Sequence, residues 1–284
     1  MPALSELYPT AFVTGASSGL GRAFTEMLLA EGVRVWGTAR DAARLGELAA
    51  SRPNHFFPVA LDLAQPAAAV SAFAEAAQRA GGAFDLVVNN AGYGVFGEFS
   101  TVPWEVWEAQ IAVTLGGNVR LAHAAYRRMR ERNRGCLVNV SSLAAEFPIP
   151  FMSCYNLAKA GLSACSESLV FESRGTNVRV IDFRPGDYRT AFNQAMQSIG
   201  ETFAPAGTGV DPRLAPIWNR IEACLRAAPL PERAATDLRR ALRRRRSGTV
   251  RSGSFFQARL APLLARLVPA AWVRSATARY FSVR

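Results

Sequence analysis

Residues 14–21 of this 284-residue chain read Thr-Gly-Ala-Ser-Ser-Gly-Leu-Gly, between an apolar stretch at 11–14 and a helical pattern with Leu20, Ala23, Phe24, Met27 and Leu28 on one face. Few features restrict a fold more. Glycines let the turn reach positive φ and let a ligand approach the main chain closely. The helix start beyond them offers unpaired N–H groups and a partial positive charge, which suits a pyrophosphate. The spacing is TGxxxGxG rather than the commoner GxGxxG. Strand, loop and helix together favour dinucleotide binding over a merely structural turn.

The alternation continues along the chain. Apolar runs at residues 33–38, 56–61, 84–88, 136–140 and 178–183 predict strands. Between them, helices are expected from about residue 41, up to about 79, over 106–130 and over 153–174, the last closed by Gly175. The strands are unbroken apolar runs, as expected when helices cover both faces of a sheet. The pattern predicts a single-domain α/β fold, a doubly wound parallel (Rossmann-like) sheet, with residues 8–190 as the dinucleotide-binding and catalytic core. After about residue 190 Gly, Pro and Thr interrupt the stretch 192–210. Helices follow at 214–227 and in the arginine-rich segment, then a last strand near 249–256 and an amphipathic helix over 256–273. Residues 191–284 read as a helical substrate cap, an edge strand and a C-terminal extension of the same domain.

Charge and composition exclude several classes. The formal charge is +11, but seven arginines crowd into residues 239–251, without aromatic platforms or a recognition helix, so nucleic acid is not the expected partner. A solvated helix face is the plain reading of that cluster; an acidic partner or an anionic membrane is the alternative. The four cysteines show neither CxxC pairing nor metal spacing with His55 or His123, which predicts reduced, buried thiols, no metal and a cytoplasmic protein. No apolar run reaches the roughly 18 residues of a membrane span. Of 33 basic residues 32 are arginine, so the single lysine, Lys159, marks a position that a guanidinium does not fill.

Lys159 stands four residues after Tyr155 on one helix, so the two side chains share a face. A tyrosine with a pKa near 10 is a poor base at neutral pH, and a nearby ammonium favours its phenolate. Ser142 lies just past a strand's carboxyl end, where open α/β sheets bind ligands, and its hydroxyl can bond a substrate oxygen. The second strand ends Thr38-Ala39-Arg40, with a guanidinium where NAD sites carry a carboxylate, which predicts NADP; Asp41 is expected to cap a helix instead.

Six ordered motifs resemble the short-chain dehydrogenase/reductase family: residues 14–21, Asp62-Leu63, Asn89-Asn90-Ala91-Gly92, Val140-Ser141-Ser142, Tyr155-Asn156-Leu157-Ala158-Lys159, and Pro185-Gly186 with Thr190. The resemblance implies hydride transfer at the nicotinamide, with Tyr155 as acid or base, Ser142 polarising the substrate oxygen and Lys159 assisting. It implies a pyrophosphate turn at Gly15, Ser17, Ser18, Gly19, Leu20 and Gly21, and adenine between Asp62 and Leu63. Asn90, Ala91 and Gly92 would pack beside the cofactor, and Pro185, Gly186, Tyr188 and Thr190 would hold the nicotinamide. One position departs: Thr114 stands where the family has an asparagine that holds a relay water, which predicts a working relay of lowered efficiency.

The expected pocket wall, Phe96, Phe99, Phe147, Phe151, Met152, Phe192 and Met196, is apolar, and about half of it is expected only to pack the cap. A small hydrophobic ketone, aldehyde or alcohol is the expected substrate, and Tyr93–Gly97 with Ser153–Tyr155 resembles hydroxysteroid- and retinol-type members. The alternatives are a 3-oxoacyl reductase docking an acidic carrier on the arginine cluster, and a non-catalytic NADP-binding sensor. The C-terminal helix is expected on a cap or a subunit, with a membrane surface as the other reading. The resemblance implies a homo-oligomer through the central helices.

Overall fold

In the computed structural model, which describes residues 2–190, 192 and 213–283, seven parallel strands form one sheet in the order β3-β2-β1-β4-β5-β6-β7. They are β1 (Thr10–Val13), β2 (Arg34–Ala39), β3 (Phe56–Ala60), β4 (Leu86–Asn89), β5 (Gly135–Val140), β6 (Val178–Pro185) and β7 (Gly248–Ser252). The described helices are α1 (Leu4–Leu7), α2 (Gly19–Ala30), α3 (Gly46–Ser51), α4 (Pro66–Arg79), α5 (Trp104–Ile111), α6 (Asn118–Glu131), α7 (Ser153–Glu172), α8 (Leu214–Ala227), α9 (Pro231–Arg244), α10 (Ala261–Ala265) and α11 (Ala270–Tyr280).

Successive strand residues point to opposite faces, and each face has its own core. Ala11 and Val13 join Phe24 and Leu28 of α2 and Leu238 and Leu242 of α9 on one side. Phe12 faces the other, among Phe73 of α4, Phe84, and Leu121 and Met129 of α6. There the Phe12 ring lies 5.0 Å from Phe73 and 5.2 Å from Phe84, centre to centre, within the range of favourable aromatic pairs. Strand order reverses beside β1, which leads to β2 on one flank and β4 on the other, and opens a crevice at the strands' carboxyl ends.

Two expected helices need correction. The helix expected over 106–130 begins at Trp104 and is interrupted by a π-helical turn, Ala112–Gly117. Carbonyls loosened by that turn are taken up by Asn118, whose Nδ2 donates to Val113 O and Thr114 O at 3.1 Å each and to Ala91 O at 2.9 Å. The single helix expected over 256–273 is instead a π-helical turn (Phe256–Leu260), α10 and α11, with Pro269 capping the start of α11. Proline cannot continue the hydrogen-bond ladder, so the chain turns there.

The arginine cluster is only partly a solvated face. Arg239 and Arg243 of α9 reach Glu31 at 3.4 and 2.8 Å, Arg240 meets Asp237 at 3.3 Å, and Arg251 meets Glu146 at 2.8 Å. Four of the seven arginines therefore serve the chain's own carboxylates. All four cysteines are free, with Cys136 and Cys154 buried and Cys165 and Cys224 partly accessible, short of the full burial expected. No described helix is long and apolar enough to cross a membrane.

Candidate active site

A cavity of about 1400 Å³ runs along the strands' carboxyl ends. That exceeds the roughly 300–1,000 Å³ of a pocket for one small molecule and leaves room for a dinucleotide with a substrate. At one end Gly15, Ser17, Ser18, Gly19 and Leu20 line it. Gly15 (φ +70°) and Gly19 (φ +54°) hold backbone that side-chain-bearing residues rarely adopt. Gly21 does not line the cavity; it lets α2 close on the loop, since a Cβ there would lie 2.1 Å from Gly15 O. The loop is stitched from both sides. Thr14 Oγ1 accepts from Asn90 N and Ala91 N at 2.8 and 2.9 Å, and Ala16 N donates to Thr38 O at 2.8 Å. The fit to a dinucleotide rests on this cradle: space that a Cβ would fill, and a helix start whose Ser18 side chain makes no capping bond.

Beyond β2, Arg40 and Arg44 both line the cavity; Arg44 escaped the sequence reading, one turn further along. Asp41 caps the following turn, accepting from Ala43 N at 2.9 Å, so its carboxylate is already engaged. Asp62 and Leu63 line the same end, and Asp62 Oδ1 accepts from Ala64 N at 3.0 Å. Asn90, Ala91, Gly92, Pro185, Gly186 and Tyr188 border the middle. Thr190 is there too, 3.4 Å from where a Gly19 Cβ would be.

Ser142, Tyr155 and Lys159 meet at the centre. Ser142 caps a short turn by accepting from Ala144 N at 3.0 Å, donates to Pro185 O at 3.5 Å, and lies near enough to Tyr155 to act on its phenol. Lys159 is buried and donates from Nζ to Val140 O at 2.8 Å, with Nζ 5.9 Å from the Tyr155 ring centre. Burial pushes the Tyr155 phenol up to about 12; the nearby Ser142 hydroxyl opposes the shift and the Asp187 carboxylate adds to it. The lowering expected from Lys159 is not seen; its ammonium is engaged with Val140 O, and burial dominates the phenol. Burial lowers Lys159 to about 8, opposed by Asp182. Asp182 is held by Ser141 (2.5 Å), Ser163 (2.8 Å) and Arg184 (2.6 Å).

Thr114 does not line the cavity. It sits buried in the π-helical turn and donates from Oγ1 to Tyr93 O at 3.3 Å. Gly92 lies between it and the lysine: a Cβ on Gly92 would be 3.6 Å from Thr114 Oγ1 and 3.8 Å from Lys159 Nζ. Of the expected pocket wall, Phe147, Met152 and Phe192 line the cavity. Phe96 and Phe151 pack with Ile217 and Ile221, Phe99 is exposed against Trp107, and Met196 lies outside the described residues. The remaining wall comes from Leu264, Val268, Trp272, Val273 and Tyr280. Leucines at helical spacing signalled those helices, though not that they close the cavity. Asp187 and Gln257 were also missed; they meet across 70 residues of sequence, and no local pattern joins them.

A family model described as short chain dehydrogenase matches residues 9–199. An oxidoreductase of Myxococcus xanthus is 40% identical over 185 residues, covering 63% of this chain and 72% of that one. A probable NADP-dependent dehydrogenase of Haemophilus influenzae is 33% identical over 178 residues, 62% of this chain and 70% of that one. A crystal structure of a short-chain dehydrogenase from Streptomyces avermitilis is 28% identical and covers 96% of this chain and 98% of its own, with a TM-score of 0.77. With the sheet order, the glycine turn and the matched two thirds of the sequence in agreement, the chain belongs to the short-chain dehydrogenase family.

Proposed function

We propose that this protein is an NADP(H)-dependent oxidoreductase that interconverts a hydrophobic ketone or aldehyde and its alcohol. The observation that carries the reading is the meeting, in one cavity, of the glycine cradle, Ser142, Tyr155 and the buried Lys159. A bound nicotinamide supplies or receives the hydride. In reduction Tyr155 gives its phenolic proton to the substrate oxygen, Ser142 orients that oxygen, and Lys159 stabilises the phenolate left behind. Oxidation needs the extra positive charge of the oxidised nicotinamide to make Tyr155 a base.

Two guanidiniums, Arg40 and Arg44, border the end where the adenosine ribose would lie, and Asp41 is turned into its own cap. This arrangement favours a 2′-phosphate over a 2′-hydroxyl, in keeping with the NADP dependence named for the Haemophilus relative. Two exposed surfaces complete the reading. Trp104, Leu157 and Phe171, on α5 and α7, are the surface we assign to a homo-oligomer. Phe255, Leu263, Leu267 and Trp272 are exposed around α10 and α11, among Arg259, Arg266, Arg274 and Arg279 and with no acidic residue from 238 to 284. Like-charged arginines oppose self-association there, so we assign that surface to an anionic membrane from which an apolar substrate enters.

The test is a panel of hydrophobic ketones and alcohols assayed with NADPH/NADP and with NADH/NAD. Turnover with the phosphorylated cofactor is expected. Tyr155→Phe should lower it by about 10²–10⁴-fold, the usual worth of a positioned proton donor, while NADPH still binds. Equal turnover by the variant would overturn the reading.

A further inference from the structure

Asp187 is an anomaly in this arginine-rich chain. Both buried carboxylates have an arginine, Asp85 with Arg134 at 3.2 Å and Asp182 with Arg184 at 2.6 Å, and so do the half-buried Glu31 with Arg243 and Glu146 with Arg251, each at 2.8 Å. Asp187 pairs with no cation among the described residues. It follows β6 and lines the central cavity, close enough to Tyr155 for its charge to act on the phenol. The residue is half-buried and open to the cavity.

Its orientation is fixed from outside. Gln257, in the turn after β7, donates from Nε2 to Asp187 Oδ2 at 2.5 Å and accepts from Asp187 N at 3.4 Å. Gly186 is held as well, donating from N to Ser252 O at 2.7 Å. A two-point clasp therefore commits one carboxylate oxygen and the backbone N–H. The other oxygen, Oδ1, has no hydrogen-bond partner among the described residues. Phe147, Met152, Phe192, Val268 and Trp272 line the same cavity, and Tyr280 and Arg220 line a small adjoining pocket with Asp187. That oxygen stays accessible from the cavity, while burial of the group as a whole pushes the Asp187 pKa up, with Gln257 opposing it.

We propose that Asp187, held by Gln257, is a specificity-determining anchor for a hydrogen-bond donor on the substrate. The preferred substrate is then an amphipathic carbonyl compound or alcohol: an apolar body with a hydroxyl or amino group that reaches Asp187 Oδ1 while its carbonyl oxygen meets Tyr155 and Ser142. This rests on the reading above that the cavity is the active site of a carbonyl–alcohol oxidoreductase, and it replaces a wholly apolar substrate with one that is polar at a single point. A charge-assisted hydrogen bond of this kind contributes about 1.5–3 kcal/mol, or roughly ten- to a hundredfold in kcat/KM.

The experiment compares an eight-carbon ketone with the same ketone bearing a hydroxyl or an amino group two, three or four carbons from the carbonyl, assayed with NADPH on the wild-type chain and on Asp187→Asn. Asparagine can still accept from Gln257, and it turns an NH₂ donor toward the cavity in place of Oδ1. The wild type is expected to prefer at least one functionalised ketone over the parent by about tenfold or more, and Asp187→Asn to reduce that ratio to within about threefold of one. The ratio isolates the anchor, because any effect of the lost charge on Tyr155 applies to every member of the series. Hydroxyl and amine arms tell a neutral donor from a cation. A wild-type ratio near one, which needs no variant, overturns the proposal alone, as does a large ratio that Asp187→Asn leaves intact. No turnover of any member with either cofactor overturns the oxidoreductase reading itself.

Discussion

At the cofactor end of the cavity the wall is largely main chain, held by Thr14, Thr38 and Asn90 and packed so closely that glycines are required. At the substrate end it is side chains: Leu264 of α10, Val268 in the link that follows, and Trp272 and Tyr280 of α11, on helices outside the sheet. A ligand that never changes can be bound by backbone, whose geometry no ordinary substitution alters. A ligand that differs between enzymes is met by side chains on elements outside the sheet. One end should therefore be brittle and specific, the other tolerant and adjustable.

The sharpest attempt to break this contrast is one methyl group at each end. Gly21→Ala puts a Cβ about 2.1 Å from Gly15 O, and Gly15 cannot retreat because its neighbours are bonded to β2 and β4. Overpacking of this kind costs about 1–3 kcal/mol, so NADPH should bind roughly ten- to a hundredfold more weakly in a fluorescence titration. Trp272→Ala removes far more atoms from the other end. It should leave NADPH affinity within about twofold and raise KM for a hydrophobic ketone, since only apolar burial is lost. Equal losses of cofactor affinity would abolish the distinction.

The same division explains what could be read from the sequence. Strands, phosphate turn, Arg40 and the Ser142–Tyr155–Lys159 group were legible because periodicity and short spacings specify them locally. The π-helical turn at Ala112–Gly117 was not, because α-helix and π-turn share one apolar pattern, and the difference lies in Asn118 taking up carbonyls four and five residues back. The Asp187–Gln257 clasp depends on β6 and β7 lying side by side, a tertiary fact. The same is true of α10 and α11: leucine spacing reveals an apolar face but not what it covers.

Lys159 sits where the two ends meet, and its burial sharpens the comparison thermodynamically. Its pKa falls from 10.5 to about 8 on folding. Between those values the unfolded chain holds the proton and the folded chain releases it, so stability rises with pH through the window and is lost as pH falls toward 8. At pH 7 the buried ammonium costs about 3 kcal/mol by that shift. Lys159→Met removes this cost and leaves Val140 O without its donor, which offsets about 1–2 kcal/mol. The ligand-free variant should melt roughly 2–6 °C higher at pH 7, with the gain shrinking toward pH 10.5. A lower melting temperature at pH 7 would mean that the lysine stabilises the fold rather than straining it.

The substrate end makes a further prediction through its surface. The chain should co-sediment with phosphatidylglycerol vesicles more than with phosphatidylcholine vesicles, and less at high salt. Replacing Phe255, Leu267 and Trp272 together by serine should cut the pelleted fraction by about threefold or more, whereas Gly21→Ala should not change it. If the wild type ignores both vesicles, something other than a membrane covers α10 and α11.

The smallest effect is expected at Thr114, beyond the cavity wall. Its hydroxyl proton is already given to Tyr93 O, so toward Lys159 it can only accept. An asparagine amide at the same place both donates and accepts, and Gly92, which carries no side chain between residue 114 and the lysine ammonium, leaves the approach open. Thr114→Asn should therefore raise kcat a few-fold without changing KM, because the gain falls on proton delivery and not on binding. A reduced solvent deuterium isotope effect on kcat should accompany it. Unchanged or lower turnover would show that Lys159 exchanges its proton by another route, and that Thr114 belongs to the packing of the π-helical turn. The companion Gly92→Ala sets a Cβ beside both polar atoms and should slow kcat in wild type and Thr114→Asn alike. If it slowed neither, the proton path would not pass between the π-helical turn and α7 at all.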